Sequence, residues 1–541
     1  MNNKANSFLK GATILALAGI VSRLIGLFYK VPLYDMVGSY GNGIYGNVTS
    51  IYNTLLMIST VGLPVAISKM ISESVAIGDY RSAKTIFKIS ITTLTILGLI
   101  SSLFLLIGSN YIIELAHWTT DSLPSLLIIS LAPLIISICS AYRGYFQGFQ
   151  EMTPTAVSQI VEQFVRVGLG MFLCYICLET GLGVGKAVGG AIAGATMGGI
   201  FALVILMCIY ENFNYKNASL FETQGVSSTY SVGHLIKRLV YISIPITLTS
   251  SIVSLFATMD SFIYVSRLAE AGISEHTATI MFGDYNNVDT LINIPLVISA
   301  NLAVAMIPAI AESFALRDQQ TMNQKINIAI RLVILIALPC CVGLSILSQG
   351  IFDLLFPGSP YGGTMMGVFS YATFFIMLSN IFQSILQSVD KMKIPLINLG
   401  VVSIIRIASS WFFLAIPQIN IYGLGLSTFL TFFALGVLNY IYVKKYTGVQ
   451  IEWLNVVGKP LIASIIMGMI TWGIYTLVEM ILGNFMAIVF SVMVGMVVYG
   501  FVMIFIGGIG EDELSALPAS GRIRPIFNKI TKMRNKIWRK K

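Results

Sequence analysis

Between residues 143 and 166 the sequence reads RGYFQGFQEMTPTAVSQIVEQFVR, a run of amides and charges set between long apolar stretches. Gln159, Glu162, Gln163 and Arg166 recur at i, i+3, i+4 and i+7 and would share one face of a helix. Thr153 and Pro154 predict where that helix starts, as its N-cap and first residue. Amides on such a face suit hydrogen bonding to sugar or peptide, and an arginine fork suits carboxylate or phosphate. Glu162 either neutralises Arg166 one turn away or faces a wet cavity with it. Further polar residues interrupt apolar runs elsewhere. Arg23 and Lys30 lie seven residues apart, nearly on one helical face; Asn53, Asp260, Asp289, Asn293 and Arg406 are scattered more widely; Lys69 and Glu73 read as an interfacial ion pair at i, i+4. An ionised group at the centre of a bilayer costs roughly 3 kcal/mol or more, so these side chains face protein or water rather than lipid. Arg23, Lys30, Arg166 and Arg406 together point to an anionic, phosphate-bearing ligand. Asp260, Asp289 and Glu162 are the candidates to hold a coupling cation.

The elements that position these residues follow from composition. The chain has 541 residues, 56% of them hydrophobic and only 11% charged, with a mean hydropathy of +0.83. Soluble domains are about 25% charged. The apolar runs are about 20 residues or longer, which is transmembrane-helix rather than barrel patterning. The expected fold is therefore an all-α polytopic membrane protein. About fourteen spans are predicted, near 11–33, 45–72, 86–108, 124–148, 154–180, 185–210, 237–265, 286–314, 324–350, 363–389, 394–416, 423–443, 455–481 and 484–509. The first run passes any plausible cleavage point and reads as a retained helix.

Lysine and arginine set the expected orientation. The breaks holding Arg81, Lys84 and Lys88, then Lys216, Lys237 and Arg238, then Arg317 and Lys325, then Lys391 and Lys393, and then Lys444, Lys445 and Lys459 fall on one side. The breaks at 109–123, 351–362 and 417–422 hold neither residue type. The positive-inside rule places both termini in the cytoplasm. The net charge of +9 reflects this bias and not nucleic-acid binding. After Gly510 the chain becomes basic, with Ile523, Ile526, Phe527, Ile530 and Trp538 interleaved among Lys and Arg. This tail reads either as an arm on anionic inner-leaflet lipids or as a solvated topology signal.

A weak internal repeat runs in gap-free register. YGNVTSIYNTLLMIS from Tyr45 aligns with YNNVDTLINIPLVIS from Tyr285, a shift of six spans that preserves orientation. Parallel repeats predict two pseudo-symmetric six-helix lobes with a ligand between them near the midplane. The expected organisation is a cytoplasmic N-terminus at 1–10, an N-lobe at 11–210, a linker at 211–236, a C-lobe at 237–443, two further spans at 444–509 and a basic tail at 510–541.

Catalytic signatures are missing. His117, His234 and His276 lack metal-ligand spacing, and GLGVGK at 181–186 lacks the spacing and hydroxyl of a phosphate loop. Cys174 and Cys177 stand in apolar surroundings without a second pair and read as packing residues. The glycines of 181–199 predict close helix contact through small-xxx-small steps such as Gly190 and Gly194. The expectation is a non-enzyme without cofactor, using an H+ or Na+ gradient, the membrane potential or its substrate's own gradient.

SRLIGLFYKVPL at 22–33, GLPVAISKM at 62–70, RGYFQGFQ at 143–150 with PTAVSQIVEQFVR at 154–166, and IPLVISANLAVAMIPAIAESFA at 294–315 carry a resemblance. The chain resembles the multidrug/oligosaccharidyl-lipid/polysaccharide exporter superfamily, in its stage V sporulation protein B-like and lipid II flippase-like branch. That resemblance implies fourteen helices in two lobes, alternating access, and movement of undecaprenyl-pyrophosphate-linked sugars from the inner to the outer leaflet. It assigns Arg23 to the first cavity arginine of those flippases. Their next arginine falls at Tyr29, beside Lys30, and a further one at Met57. Of their Asp-Arg-x-x-Glu pattern Asp289 is kept, with Thr290 and Asn293 replacing the others. The resulting expectation is a lipid II flippase in which Arg23, Lys30, Arg166 and Arg406 meet pyrophosphate while Asn53, Gln159, Gln163 and Asn293 bond sugar or peptide. Alternatives are a flippase for another lipid-linked polysaccharide or spore-cortex precursor, a cation-coupled multidrug exporter, and a non-transporting scaffold among cell-wall synthesis proteins.

Overall fold

The computed structural model describes residues 2–60, 62–216 and 232–508, without the side chains of 2–20, 23, 24, 27, 58–60, 245, 246, 248–250, 301, 303–305, 308 and 309. The basic tail at 510–541 and most of the 211–236 linker lie outside the described residues. All regular elements among the described residues are helices: α1 (Asn2–Thr60), α2 (Gly62–Ala76), α3 (Tyr80–Ala116), α4 (Leu123–Ile129), α5 (Ala132–Gly148), α6 (Thr153–Glu179), α7 (Val184–Lys216), α8 (Val232–Glu270), α9 (Glu275–Ala315), α10 (Gln319–Ile346), α11 (Ser348–Leu355), α12 (Gly362–Ser388), α13 (Lys393–Leu414), α14 (Tyr422–Thr447) and α15 (Lys459–Phe505).

Eleven segments among the described residues are long and apolar enough to cross a membrane. Two of these, Phe28–Ala76 and Leu454–Phe505, are 49 and 52 residues long. A helix of that length would span about 75 Å, more than twice the hydrocarbon core. Each is broken by a glycine in a conformation closed to other residues: α1 leaves helical geometry at Gly38 (φ 65°) and α15 at Gly483 (φ 79°).

The packing divides into two compact units, Met1–Asn286 and Asn287–Lys541. The first unit extends past the expected 211–236 linker, with α8 packed against α1, α2 and α3. Its apolar core joins Ile67, Met70 and Ile71 of α2 to Phe87 of α3 and to Tyr142, Tyr145 and Phe146 of α5. In the second unit Ile326, Ile330, Val333 and Ile334 of α10 pack with Ile381, Phe382 and Ile385 of α12 and Val443 of α14.

Aspartate caps start one helix in each unit. Asp79 caps α3 by accepting from the Ser82 amide at 2.9 Å, and Asp318 caps α10 by accepting from the Thr321 amide at 3.0 Å. The Thr321 hydroxyl and amide hold the exposed Asp318 carboxyl below its ordinary range. Thr153, expected as an N-cap, is instead the first residue of α6, which begins from Met152 without a side-chain cap.

Glycines bring backbones together in the first unit. A Cβ at Gly194 would lie 2.2 Å from the Arg166 carbonyl oxygen, and one at Gly198 would lie 2.4 Å from that of Glu162. A Cβ at Gly190 would meet the Leu173 backbone at 2.8 Å, so α7 lies directly on α6 along three turns. Gly194→Ala is expected to cost about 1–3 kcal/mol through overpacking, read as a lower thermal midpoint of the detergent-solubilised protein. Gly473→Ala, where nothing lies within 4 Å, should leave the midpoint unchanged.

Candidate functional site

The polar face of α6 is oriented by what lies behind it. With the Glu162 and Arg166 carbonyls against α7, their side chains are left to meet other helices. Arg143, on the last turns of α5, reaches across. Its Nε donates to Ser158 Oγ at 3.0 Å and its NH2 to Glu162 Oε2 at 2.7 Å. The Ser158 hydroxyl in turn donates to the Thr155 carbonyl at 2.8 Å, so it is free to accept from arginine. The two charged side chains are only 12% and 20% exposed.

Glu162 is therefore not the partner of Arg166, as i, i+4 spacing suggested. The guanidinium of Arg166 donates through NH2 to the Tyr45 hydroxyl at 3.3 Å. Tyr45 comes from α1 after its break, where Gly38 returns the chain alongside its own first half. Its ring lies 6.4 Å from that of Tyr29, whose hydroxyl donates to the Ala191 carbonyl of α7 at 3.3 Å. Buried Tyr52 continues the Tyr45 face of α1 two turns on. Gln163 Nε2 lies 3.2 Å from where a Cβ would stand on Gly26, so its amide covers that glycine. Lys30 Nζ donates to the Asn286 carbonyl at 3.2 Å, and a Cβ at Gly46, next to Tyr45, would strike the Asn286 side chain at 2.1 Å. Arg143, Ser158, Glu162, Gln163, Arg166, Tyr45, Tyr29 and Lys30 thus form one polar wall in the first unit.

The wall has a neighbour that the expected spans placed in a break. Asp284 is buried and accepts from Ser39 Oγ at 2.6 Å, while the Ser39 and Tyr34 hydroxyls are 2.9 Å apart. The Asn42 amide donates to the Gly283 carbonyl at 2.6 Å. A Cβ at Gly43 would lie 2.1 Å from the Thr279 carbonyl, and one at Gly283 would lie 1.9 Å from that of Ser39. Ser39, Gly43, Thr279 and Gly283 obey the same 240-residue shift as the repeat. Span eight starts eleven residues earlier than expected, at Glu275 instead of 286, which brings Asp284 into the helix.

The other candidates stand apart. The Arg23 side chain lies outside the described residues. Gln159 is partly buried on the α6 face and Asn53 is exposed on α1. Asp260 is buried within α8. In the second unit, Asn293 Nδ2 donates to the Asp289 side chain at 2.9 Å and its carbonyl at 2.8 Å, one turn of an exposed face. Arg406, 4% exposed, donates to the Leu424 carbonyl at 3.3 Å and to the Thr428 hydroxyl, fastening α13 to α14. Glu73 meets Arg238 of α8 at 2.5 Å, not Lys69 as expected, because α8 runs along α2.

A family model described as "Polysaccharide biosynthesis protein" matches residues 8–314, more than half of the chain. The chain belongs to the polysaccharide biosynthesis protein family. The chain is also similar to curated proteins named for sporulation and for lipid II flipping. It is 26% identical to Stage V sporulation protein B of Bacillus subtilis (strain 168), covering 96% of this chain and 99% of that one. It is 25% identical to Lipid II flippase MurJ of the same organism, covering 89% and 90%. A solved structure of lipid II flippase MurJ in an inward closed conformation superposes with a TM-score of 0.68 at 15% identity, over 91% of this chain and 98% of that one. With eleven segments among the described residues long and apolar enough to cross a membrane, the chain is a multi-pass membrane protein.

The Arg238–Glu73 pair differs from Arg143–Glu162 in exposure, at 38% and 42% for its side chains. Arg238→Ala should therefore change stability by only about 0–1 kcal/mol. Thermal melts should show that difference shrinking further as salt rises above about 0.5 M, where exposed charges are screened within a few ångströms.

Proposed function

We propose that this chain is a flippase that moves an undecaprenyl-pyrophosphate-linked cell-wall precursor, lipid II, from the inner to the outer leaflet of the bacterial plasma membrane by alternating access. The observation that carries this reading is Arg166. It is a guanidinium within a membrane-crossing helix, bonded to a phenol and not to the carboxylate one turn away. A cation retained inside the membrane and bonded to a neutral hydroxyl suits an anionic cargo, and arginine's fork matches phosphate oxygens. The relationship to a lipid II flippase along nine-tenths of both chains supports the choice of cargo.

In this mechanism Arg166, with Lys30 and Arg23, pairs with the pyrophosphate, and Gln159, Gln163 and Asn53 hydrogen-bond sugar or peptide. Buried Asp260 binds a coupling H+ or Na+, or the membrane potential drives the charged headgroup directly. Both termini lie in the cytoplasm, where the basic tail meets anionic lipid. A second reading, a spore-cortex precursor as cargo, is favoured by the near full-length relationship to Stage V sporulation protein B.

Complementation in cells depleted of their own lipid II flippase tests the proposal. The parent chain should restore growth, while Arg23→Ala and Arg166→Gln, at matched membrane levels, should not. Normal rescue by either variant would remove that residue from pyrophosphate recognition. Failure of the parent chain, with rescue of a sporulation-specific defect, would assign the second cargo.

A further inference from the structure

Resting on the reading of Arg166 as the group that meets the anionic cargo, we propose that Arg143 is a positioning residue: by holding Glu162 it keeps that carboxylate off Arg166 and leaves the Arg166 guanidinium available to phosphate. Glu162 and Arg166 stand one turn apart on α6, the spacing at which a carboxylate and a guanidinium ordinarily pair along a helix. Glu162 Oε2 is instead taken by Arg143 NH2 at 2.7 Å, and Arg166 bonds Tyr45 at 3.3 Å. Arg143 is itself fixed at a second point, with its Nε on Ser158 Oγ at 3.0 Å. Ser158 lies one turn before Glu162, so the guanidinium is aligned along α6 and its donors bracket that turn. The pair is 12% and 20% exposed, which makes the exchange of partners electrostatically consequential.

Arg143, Glu162 and Arg166 together carry one net positive charge, and the partner Glu162 takes decides where that charge sits. With Arg143 holding Glu162, the charge rests on Arg166. Without Arg143, Glu162 has the adjacent arginine as its nearest cationic partner on the same face, and the positive charge that a phosphate would meet is cancelled. Tyr45 completes the arrangement because a neutral hydroxyl orients the guanidinium without neutralising it and can be displaced by a charged acceptor, which makes the stronger bond.

The test titrates the full chain in detergent with inorganic pyrophosphate, followed by calorimetry, beside the variants Arg166→Gln, Arg143→Gln, Glu162→Gln and the double variant Arg143→Gln/Glu162→Gln. Arg166→Gln should abolish binding. Arg143→Gln should weaken it about tenfold or more, as expected for a carboxylate moving into contact with the binding cation. Glu162→Gln should bind at least as tightly as the parent, and the double variant should recover what Arg143→Gln loses. A merely structural ion pair gives a different result, in which both single variants weaken binding together; that outcome overturns the proposal, as does an Arg143→Gln variant that binds like the parent. If Arg143→Gln fails to fold, shown by its thermal midpoint, Glu162→Gln still decides, since weaker binding by that variant contradicts the proposal. Pyrophosphate binding that survives Arg166→Gln overturns the site itself, whereas loss there with no effect at Arg143 overturns only the positioning role.

Discussion

The contact of α6 with α7 through bare backbone fixes the orientation of everything on the polar wall. Gly190, Gly194 and Gly198 leave no side chain between the helices, and the carbonyls of Glu162 and Arg166 are among the atoms they touch. A helix held at that distance cannot rotate about its own axis without driving a Cβ into its neighbour. The side of α6 opposite α7 is therefore presented in one orientation, toward α5 and the returning half of α1. In a bilayer, where apolar burial does not drive helix association, close packing of this kind is a main source of cohesion between helices.

The same device recurs where α1 meets the start of α9. Gly43 and Gly283 admit the carbonyls of Thr279 and Ser39, and the polar groups buried by the contact bond one another: Ser39 with Asp284 and Tyr34, Asn42 with the Gly283 carbonyl. Both members of this crossing come from repeat-related segments. Pairing like segments across a local axis explains why glycine and small hydroxyl residues appear in register on each. It also explains why hydrogen-bonding side chains cluster there, since a buried polar group in this setting costs free energy unless a partner is supplied.

The sequence made the helical class, the polar face of α6 and the small-residue seam of α7 legible, because each is a periodic property of a single helix. What could not be read were the partners. Glu162 has a cation four residues ahead and another nineteen residues behind, and only the crossing of α5 over α6 selects Arg143. Glu73 meets Arg238 for the same reason, through a contact over 165 residues. Tyr45 stands out in the sequence only as a repeat position, since its contact with Arg166 depends on the turn at Gly38. Asp284 lies ahead of the span boundary that hydropathy predicts. The stretch before 286 holds Glu275, His276 and the Gly283–Asp284 step and reads as a break, yet it is helix at the start of α9, with Asp284 bonding Ser39 of α1. Arg406 illustrates the reverse. Read as a cavity cation, it serves as a fastening between α13 and α14, donating to a backbone carbonyl that no side-chain pattern reveals.

Two arginines separated by a single carboxylate show how charge inside a membrane protein can be kept usable. A buried pair such as Arg143–Glu162 contributes little net stability once its desolvation is counted. Its retention is easier to understand as a constraint on geometry than as a source of cohesion. Tyr45, meeting Arg166, satisfies a donor while leaving the charge intact, and the adjacent Tyr29 is held to α7 through the Ala191 carbonyl. A second carboxylate in place of Tyr45 would bond Arg166 more strongly and would also neutralise it. The choice of a phenol beside one cation and a carboxylate beside the other divides α6 into a charge pair near its start and a cation bonded to a neutral hydroxyl one turn further along the helix. Between Glu162 and Arg166 this transition occupies one turn, about 6 Å of rise.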